Sequence, residues 1–302
     1  IYFDDYSITP LDNVALSLKA WAPVSDSSAI GSSLSVHGNA TGVQSLAAGV
    51  RNSAYTFDGS TGYLRQQTIA TNIGTLSYSG NTFIDDAQTF TSYQAANPAT
   101  HMIVITNSDN TTTWGYIGSG GSATTINVYT TKTESTAGFN GTSPTGKTPV
   151  GYEVRKTDFQ ITGNYAVGMW VKRARTGVTE FIFSKGSSGG PNTGYSGYFN
   201  PDNTISFYNG GVGGMVTAST ITDTNWHYLV FNSNGASSAV YIDGISAQTG
   251  NMGSAPNDNP ISFNISANVF STPGFQGSID EPFVTAEALT AGQIFDMYNS
   301  GR

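Results

Sequence analysis

Apolar and polar positions alternate in short runs through the second half of the chain. Ala166–Lys172 (AVGMWVK), Glu180–Lys185 (EFIFSK), Gly197–Asn200 (GYFN), Thr204–Tyr208 (TISFY), Trp226–Asn232 (WHYLVFN) and Ala239–Asp243 (AVYID) are rich in aromatic and β-branched residues. Turn-forming residues separate them at Ser187–Gly190, Pro201–Asn203, Asn209–Gly214, Asn234–Gly235 and Asp243–Gly244. A period of two between such punctuation predicts the strands of an antiparallel sandwich. Pro256 and Pro260 bound a loop before a further run, Ile261–Ile265. Thr290–Tyr298 reads instead at helical period, with Ile294, Met297 and Tyr298 on one face. Thr290, with Gln293 three residues on, forms a capping box for that helix.

Composition fits an all-β chain. The 302 residues are a soft prior for two domains, and 38% hydrophobic with 12% aromatic content suffices for a core. Charged residues make up only 11%, and the 36 glycines suit many short strands joined by tight turns. The net charge of −8 comes without a basic stripe. Nucleic acid is therefore not an expected partner, nor is an anionic membrane surface. There is no cysteine, which excludes thiolate metal sites and cysteine catalysis. No apolar run approaches the roughly 18 residues of a membrane-spanning helix, so membrane insertion is not expected.

Four landmarks in the second half carry a family resemblance. They are Trp170-Val171-Lys172, Trp226-His227-Tyr228-Leu229-Val230, Tyr241-Ile242-Asp243-Gly244, and Phe275-Gln276-Gly277-Ser278-Ile279-Asp280-Glu281 followed by Ala288-Leu289-Thr290 and Ile294-Phe295-Asp296-Met297-Tyr298. In this order and spacing they resemble the laminin-G-like, concanavalin A-like lectin/glucanase jelly-roll family. Near the N-terminus, Ala54-Tyr55-Thr56-Phe57-Asp58-Gly59-Ser60-Thr61-Gly62-Tyr63-Leu64 resembles the opening strand of that family, approached through Val36–Gly42. The resemblance implies one sandwich built from both ends of the chain, interrupted by an insert. The segment between holds Phe83-x-Asp85-x-x-x-x-Phe90, then Met102–Asn107, Thr112–Gly118 and Ala123–Tyr129. It resembles a small β module of phage tail and virion proteins, with short strands and Gly/Asn/Asp turns forming a small barrel. The expected organisation is an N-terminal arm over 1–14, the first part of the sandwich over 15–75, an inserted β-barrel-like domain over 76–156, and the rest of the sandwich over 157–302. The arm either reaches a neighbouring subunit or completes a sheet.

Candidate chemistry is sparse. Glucanases of the resembled superfamily need paired carboxylates, one attacking and one donating a proton. The glutamates Glu134, Glu153, Glu180, Glu281 and Glu287 include no pair at the family's E-x-D-x-x-E spacing. His37, His101 and His227 do not lie at zinc-ligand spacing, and no G-x-S-x-G elbow or phosphate loop occurs. The chain is thus read as non-enzymatic. The resemblance implies a structural Ca²⁺ as one reading of Asp58, Asp280 and Glu281. The alternative is that Asp58 makes an Asp-Gly turn and Asp280 caps backbone donors. Tyr195, Tyr198 and Tyr208 lie near Gly/Asn-rich loops, and Trp114 lies in the insert; all four are candidate platforms for sugar rings, with core packing as the alternative.

These readings lead to a virion-surface structural protein: a phage tail fibre, spike or capsid-decoration subunit with a lectin-like sandwich for attachment to glycan or protein. The alternative is a secreted carbohydrate-binding adhesin or extracellular filament subunit. Either is extracellular or particle-borne, and a homo-oligomer or lattice partner is expected.

Overall fold

The computed structural model describes residues 14–17, 34–38, 43–48, 50, 53–94, 99–186, 194–210, 213–253, 256–268 and 274–301. The arm expected over 1–14 lies outside these except for Val14. The chain divides into two compact units, one formed by 1–66 with 159–302 and one by 67–158.

The first unit is a pair of antiparallel sheets. Edge to edge, one runs Ile245–Gly250, Ser238–Ile242, Trp226–Ser233, Tyr165–Arg173, Gln276–Thr285, Ser53–Asp58 and Val43–Ala48. Val14–Ser17 adds alongside Gln276–Thr285. The other runs Gly213–Thr220, Thr204–Asn209, Tyr195–Phe199, Glu180–Lys185, Asn264–Ile265, Gly62–Gln66 and Leu34–Gly38. The two sheets share one aromatic-rich core that includes Met169, Phe183, Phe207, Phe231 and Phe263. Phe159 stacks on Phe263 at 4.6 Å, and Phe183 meets Phe231 edge-on at 5.0 Å. Each such buried ring contributes about 1.5–3 kcal/mol. Gly197 is glycine because a Cβ there would sit 2.5 Å from the Phe183 ring and 2.8 Å from that of Phe231.

The helix Ala291–Ser300 begins where the capping box places it. Thr290 Oγ1 accepts from the Gln293 amide at 3.2 Å, and Gln293 Oε1 accepts from the Thr290 amide at 2.8 Å. Ile294 and Tyr298 pack into a second apolar cluster with Trp170, Tyr228, Val230 and Phe283. Trp170 lies 5.1 Å from the Tyr228 ring and 5.6 Å from that of Tyr298. Two landmark strands thus serve as the bed for the helix.

Two edge strands depart from the expectation. Gly213–Thr220 begins inside the stretch read as a turn, and Ile245–Gly250 follows the Asp243–Gly244 turn as a strand of its own. An edge strand packs on fewer neighbours, so its residues need not alternate cleanly, and Gly213 and Gly214 further blur the signal. The run Ile261–Ile265 is strand only at Asn264–Ile265. Before it the backbone is held as a loop: buried Lys185 Nζ donates to Asn259 O at 3.1 Å, to Asn259 Oδ1 at 3.3 Å and to Ile261 O.

The second unit is a single sheet in the order Ala70–Thr71, Pro149–Lys156, His101–Asn107, Thr112–Ile117, Thr125–Tyr129, Thr82–Asp85 and Leu76–Ser79, with Asn140–Gly141 beside Thr112–Ile117. Phe83 and Tyr152 sit on strands separated by three others, yet their rings lie 5.1 Å apart. The sheet therefore curls round its own core of Phe83, Phe90, Ile103, Ile105, Ile126 and Val154. In the Phe83-x-Asp85-x-x-x-x-Phe90 motif all three named residues are fully buried. Asp85 accepts from Tyr152 Oη at 2.9 Å, the Ile73 amide at 3.0 Å and the Ala87 amide at 3.1 Å. Asn107 accepts from Tyr78 Oη at 2.8 Å and donates to Thr113 Oγ1 at 3.0 Å.

Candidate ligand-binding site

The strands of the seven-stranded sheet place core residues and their neighbours on opposite faces, because side chains alternate along a strand. Leu64, Ile265, Phe183, Gly197, Phe207 and Met215 stand opposite one another across the sheet and face the core. One residue along, a second row crosses the whole sheet on the other face: Ser35, Arg65, Asn264, Ser184, Ser196, Tyr208 and Gly214. Its middle is covered, since Ser184 Oγ donates to the Ala267 carbonyl at 2.8 Å and Ser184 is fully buried. Towards the Gly213–Thr220 edge this face carries Phe181, Tyr198, Tyr208 and Val216.

Phe181, Tyr198, Ser206 and Val216 are register partners on four adjacent strands. The rings of Phe181 and Tyr198 lie 4.9 Å apart, tilted by 32°. Tyr208 is two residues beyond the partner of Tyr198, within diagonal reach on the same face. A Cβ at Gly214 would come within 3.0 Å of the Tyr208 ring, so glycine lets that ring lie across the neighbouring strand. All three rings are half-buried, and Val216 is 55% exposed. Asn200 stands beside them, donating to Thr204 Oγ1 at 2.9 Å and to Ser206 Oγ at 2.8 Å. The result is an aromatic surface edged by hydroxyl and amide groups. Stacking on a sugar ring and hydrogen bonding to its hydroxyls need that combination.

A buried ion network holds the strand below this surface. Glu180, immediately before Phe181, is fully buried. It accepts from Arg175 Nε at 2.8 Å, from Arg173 Nε and Nη2 at 3.4 Å and from the Gln276 amide at 3.0 Å. Arg173 also lies 4.1 Å over the Phe199 ring and donates to the Ile221 carbonyl at 2.8 Å.

The structure divides the four aromatic candidates. Tyr198 and Tyr208 lie on the open face. Tyr195 does not: it is 2% exposed, its ring packs against Tyr165 at 4.7 Å, and its hydroxyl donates to the Phe159 carbonyl. Tyr195 and Tyr198 are three residues apart on one strand, so they point to opposite faces. Trp114 is 6% exposed in a cluster with Met102 and Tyr116, which leaves no ring face for a sugar. Phe181 and Val216 were not singled out from the sequence. Their signal is positional, since only the register shows them level with Tyr198.

Of the three calcium candidates, Asp58 and Asp280 spend carboxylate oxygens on backbone amides. Asp58 Oδ1 accepts from the Ser60 and Thr61 amides at 2.9 Å and from Gly62 at 3.3 Å, and its other oxygen takes the Thr61 hydroxyl. Desolvation pushes the Asp58 pKa up, but these bonds outweigh it and hold the carboxyl well below the usual carboxylate range. Asp280 accepts from Val50 N at 2.8 Å and from Glu281 N at 2.9 Å. In the sheet Asp58 stands level with Gln276, whereas Asp280 stands level with Trp170 on the strand's other side. Among the described residues no group of three or more His, Asp or Glu side chains is placed to hold a metal ion.

His227 is clamped between two carboxylates, Nδ1 2.8 Å from Asp243 Oδ2 and Nε2 3.1 Å from Asp223 Oδ1. The bond to Asp243, and then that to Asp223, raise its pKa above the ordinary histidine value against the opposing effect of burial. A raised folded-state pKa stabilises the fold fully below the unfolded value, and that gain is lost as pH rises through the folded pKa. The melting temperature should therefore fall slightly on going from pH 6 to pH 9, by the equivalent of about 1 kcal/mol or less. His227→Gln should remove that slope, and thermal melts across this range check it.

The concanavalin A-like lectin/glucanases superfamily profile matches residues 145–295, half of the chain. The chain belongs to this superfamily. No curated protein sequence matches it. Among solved structures, the binding domain of Paraclostridial Mosquitocidal Protein 1 superimposes with a TM-score of 0.51 at 12% identity, covering 96% of this chain and 52% of that one. Domain 4 of AbnA, a GH43 extracellular arabinanase from Geobacillus stearothermophilus solved with arabinotriose, gives 0.51 at 14% identity, covering 95% and 98%. The binding domain of botulinum neurotoxin DC, solved with rat synaptotagmin II, gives 0.52 at 12% identity, covering 97% and 53%. The chain spans about half the length of the two toxin domains and nearly all of the arabinanase domain. At these identities the likeness is one of fold. No helix among the described residues is long and apolar enough to cross a membrane.

Proposed function

We propose that this superfamily member is a non-enzymatic attachment module that binds glycan through the open face of its seven-stranded sheet. The observation that carries the reading is the Phe181–Tyr198–Tyr208 surface, three aromatic rings that the core does not use. The non-enzymatic reading is supported by how Glu180, Asp58, Asp280 and His227 are engaged. Glu180 is buried beneath two arginines, Asp58 and Asp280 hold backbone amides, and both nitrogens of His227 face carboxylates. Structures of like fold solved in complex with arabinotriose or with synaptotagmin lend support to glycan or protein partners. Tyr198→Ala and Tyr208→Ala should each weaken binding on an immobilised glycan array about tenfold, the equivalent of about 1.4 kcal/mol for a lost stacking contact. Unchanged signals from both variants, with unchanged melting temperatures, would remove the surface from consideration.

The finer reading places the module on a virion, as part of a tail fibre, spike or decoration subunit. It is supported by the β module at 67–158 and by a Ser/Thr/Gly/Asn-rich, cysteine-free sequence. Immunogold electron microscopy on the source material tests it. Regular labelling of particles is expected, and labelling of cell surfaces or filaments would favour a secreted adhesin instead.

A further inference from the structure

Four strands between Thr176 and Thr222 build the aromatic end of the seven-stranded sheet, and that stretch carries three charged residues: Glu180, Lys185 and Asp202. Beside it, Ile261 to Gln276 carries none. Two of the three are spent away from the open face. Glu180 is buried against Arg173 and Arg175. Lys185 is buried level with core-facing Tyr195 and donates to the Asn259 side chain and carbonyl. The neighbouring cations are also committed. Arg175 gives Nε to Glu180 at 2.8 Å and Nη2 to the Gly274 carbonyl at 3.4 Å. Arg65 shares the face, but it lies beyond the segment that covers Ser184 and gives Nε to Ser262 Oγ at 2.9 Å. Among the described residues, the aromatic end of the face therefore has no cation of its own and one anion, Asp202.

Asp202 sits in the turn that joins Tyr195–Phe199 to Thr204–Asn209, the strands of Tyr198 and Tyr208. Its Oδ1 accepts from the Thr204 hydroxyl at 2.6 Å and from the Thr204 amide at 3.0 Å. The hydroxyl bond, and then the amide bond, hold its carboxyl below the usual carboxylate range, so it stays charged. The same bonds orient the polar groups of the face. A threonine hydroxyl has one hydrogen to give. With that hydrogen on Asp202, Thr204 Oγ1 accepts from Asn200, at 2.9 Å, and the Asn200 NH2 group reaches Ser206 Oγ as well, at 2.8 Å. Asn200 lies two residues from Tyr198, hence on the same face. Its carboxamide oxygen receives no donor from the described residues and is left as an acceptor.

We infer, building on the reading that this face binds glycan, that it selects uncharged sugars and turns away those bearing carboxylate or sulfate, with Asp202 as the specificity-determining residue. Three observations select that class. The Asn200 oxygen needs a donor, which a sugar hydroxyl supplies and an ionised acid does not. An acidic group laid against the rings of Phe181, Tyr198 and Tyr208 loses water and finds no cation in return. It also meets the fixed charge of Asp202, and like charges brought together at an interface exclude the wrong partner.

The test uses the whole chain on a printed array of matched pairs. Each pair is a neutral oligosaccharide of galactose, glucose, arabinose or N-acetylglucosamine beside the same chain bearing a sialic acid, a uronic acid or a sulfate. Neutral members should bind at least about fivefold more tightly than their acidic partners at about 50 mM salt, and the gap should shrink at about 500 mM as the Asp202 charge is screened. Asp202→Asn should narrow the neutral-to-acidic ratio, and Asp202→Lys should close or reverse it. The ratio is read within each variant, so a loss of folded protein does not imitate the result. Acidic members that bind as tightly as neutral ones, with both signals lost in Tyr198→Ala, would overturn the inference and leave the glycan-binding face standing. A neutral preference unmoved by Asp202→Lys would overturn the role of Asp202. Absence of binding to every member would overturn the glycan reading itself, and the inference with it.

Discussion

Glu180→Ala is expected to destabilise the sandwich by about 3–5 kcal/mol, because it leaves buried arginine charge without its partner. Glu180 is fully buried, and the Arg173 side chain is 1% exposed. Water cannot reach the guanidinium to replace the lost carboxylate. The change also strips the Gln276 amide of its acceptor. For a unit of this size the loss corresponds to a fall in melting temperature of about 10 °C or more. Arg175→Ala should cost far less, since the Arg175 side chain is 35% exposed and Arg173 still faces Glu180. Thermal melts of the two variants against the parent decide the matter. A fall of under about 3 °C for Glu180→Ala would show that water reaches Arg173 after all. Because Phe181 follows Glu180 directly, the same variant should also blunt glycan binding, even under conditions where it stays folded.

Asp85→Ala should have the second-largest effect, confined to the other unit. Three donors converge on this buried carboxylate: Tyr152 Oη, Ile73 N and Ala87 N. Only the Tyr152 bond is fully buried: orphaning its donor costs about 1–3 kcal/mol and losing the two part-buried backbone bonds about 1 kcal/mol each, so the sum is about 3–5 kcal/mol. Burial, which is the largest cause, and the charge of Asp85 together push the Tyr152 hydroxyl well above the usual tyrosine range. It therefore remains a donor at any working pH. Hydrogen exchange followed by peptide-level mass spectrometry should show faster exchange over 67–158 and little change over 159–302. Asp85→Asn, which keeps one acceptor oxygen, should recover part of the loss.

Much of the fold was legible because its residues act locally. The aromatic alternation of Glu180–Lys185 and Trp226–Asn232 marks strands whatever they pair with. Thr290 and Gln293 start a helix through bonds to each other. Phe83, Asp85 and Phe90 announced a spacing whose meaning is now structural, two core rings and one carboxylate that ties three segments. The ligand surface was less legible. Tyr198 and Tyr208 share a face only because Tyr195–Phe199 pairs with Thr204–Asn209 in one register, and Phe181 joins them through a bulge that shifts its strand. Parity within a strand does carry information: Tyr195 and Tyr198, an odd number apart, could not both reach one ligand. The acidic partner of Arg173 was hidden for a related reason. Nothing in the spacing of Arg173, Arg175 and Glu180 shows that the crossing from one sheet to the other folds them into one buried network.

The route of the chain through the first unit bears on how it can fold. Thr56 and Ser278 are 222 residues apart in sequence and share a hydrogen bond across neighbouring strands. A ribosome that has released only the N-terminal strands has not yet made what they pair with. The strand Ser53–Asp58 must wait with an unpaired edge until Gln276–Thr285 emerges, while 67–158 already holds every strand of its own sheet. Closing so long a loop is slow more than it is costly, since loop entropy grows only with the logarithm of length. Order of synthesis therefore favours the inserted unit folding first and the sandwich last, and the interval between them is when its early strands are open to pairing with the wrong chain.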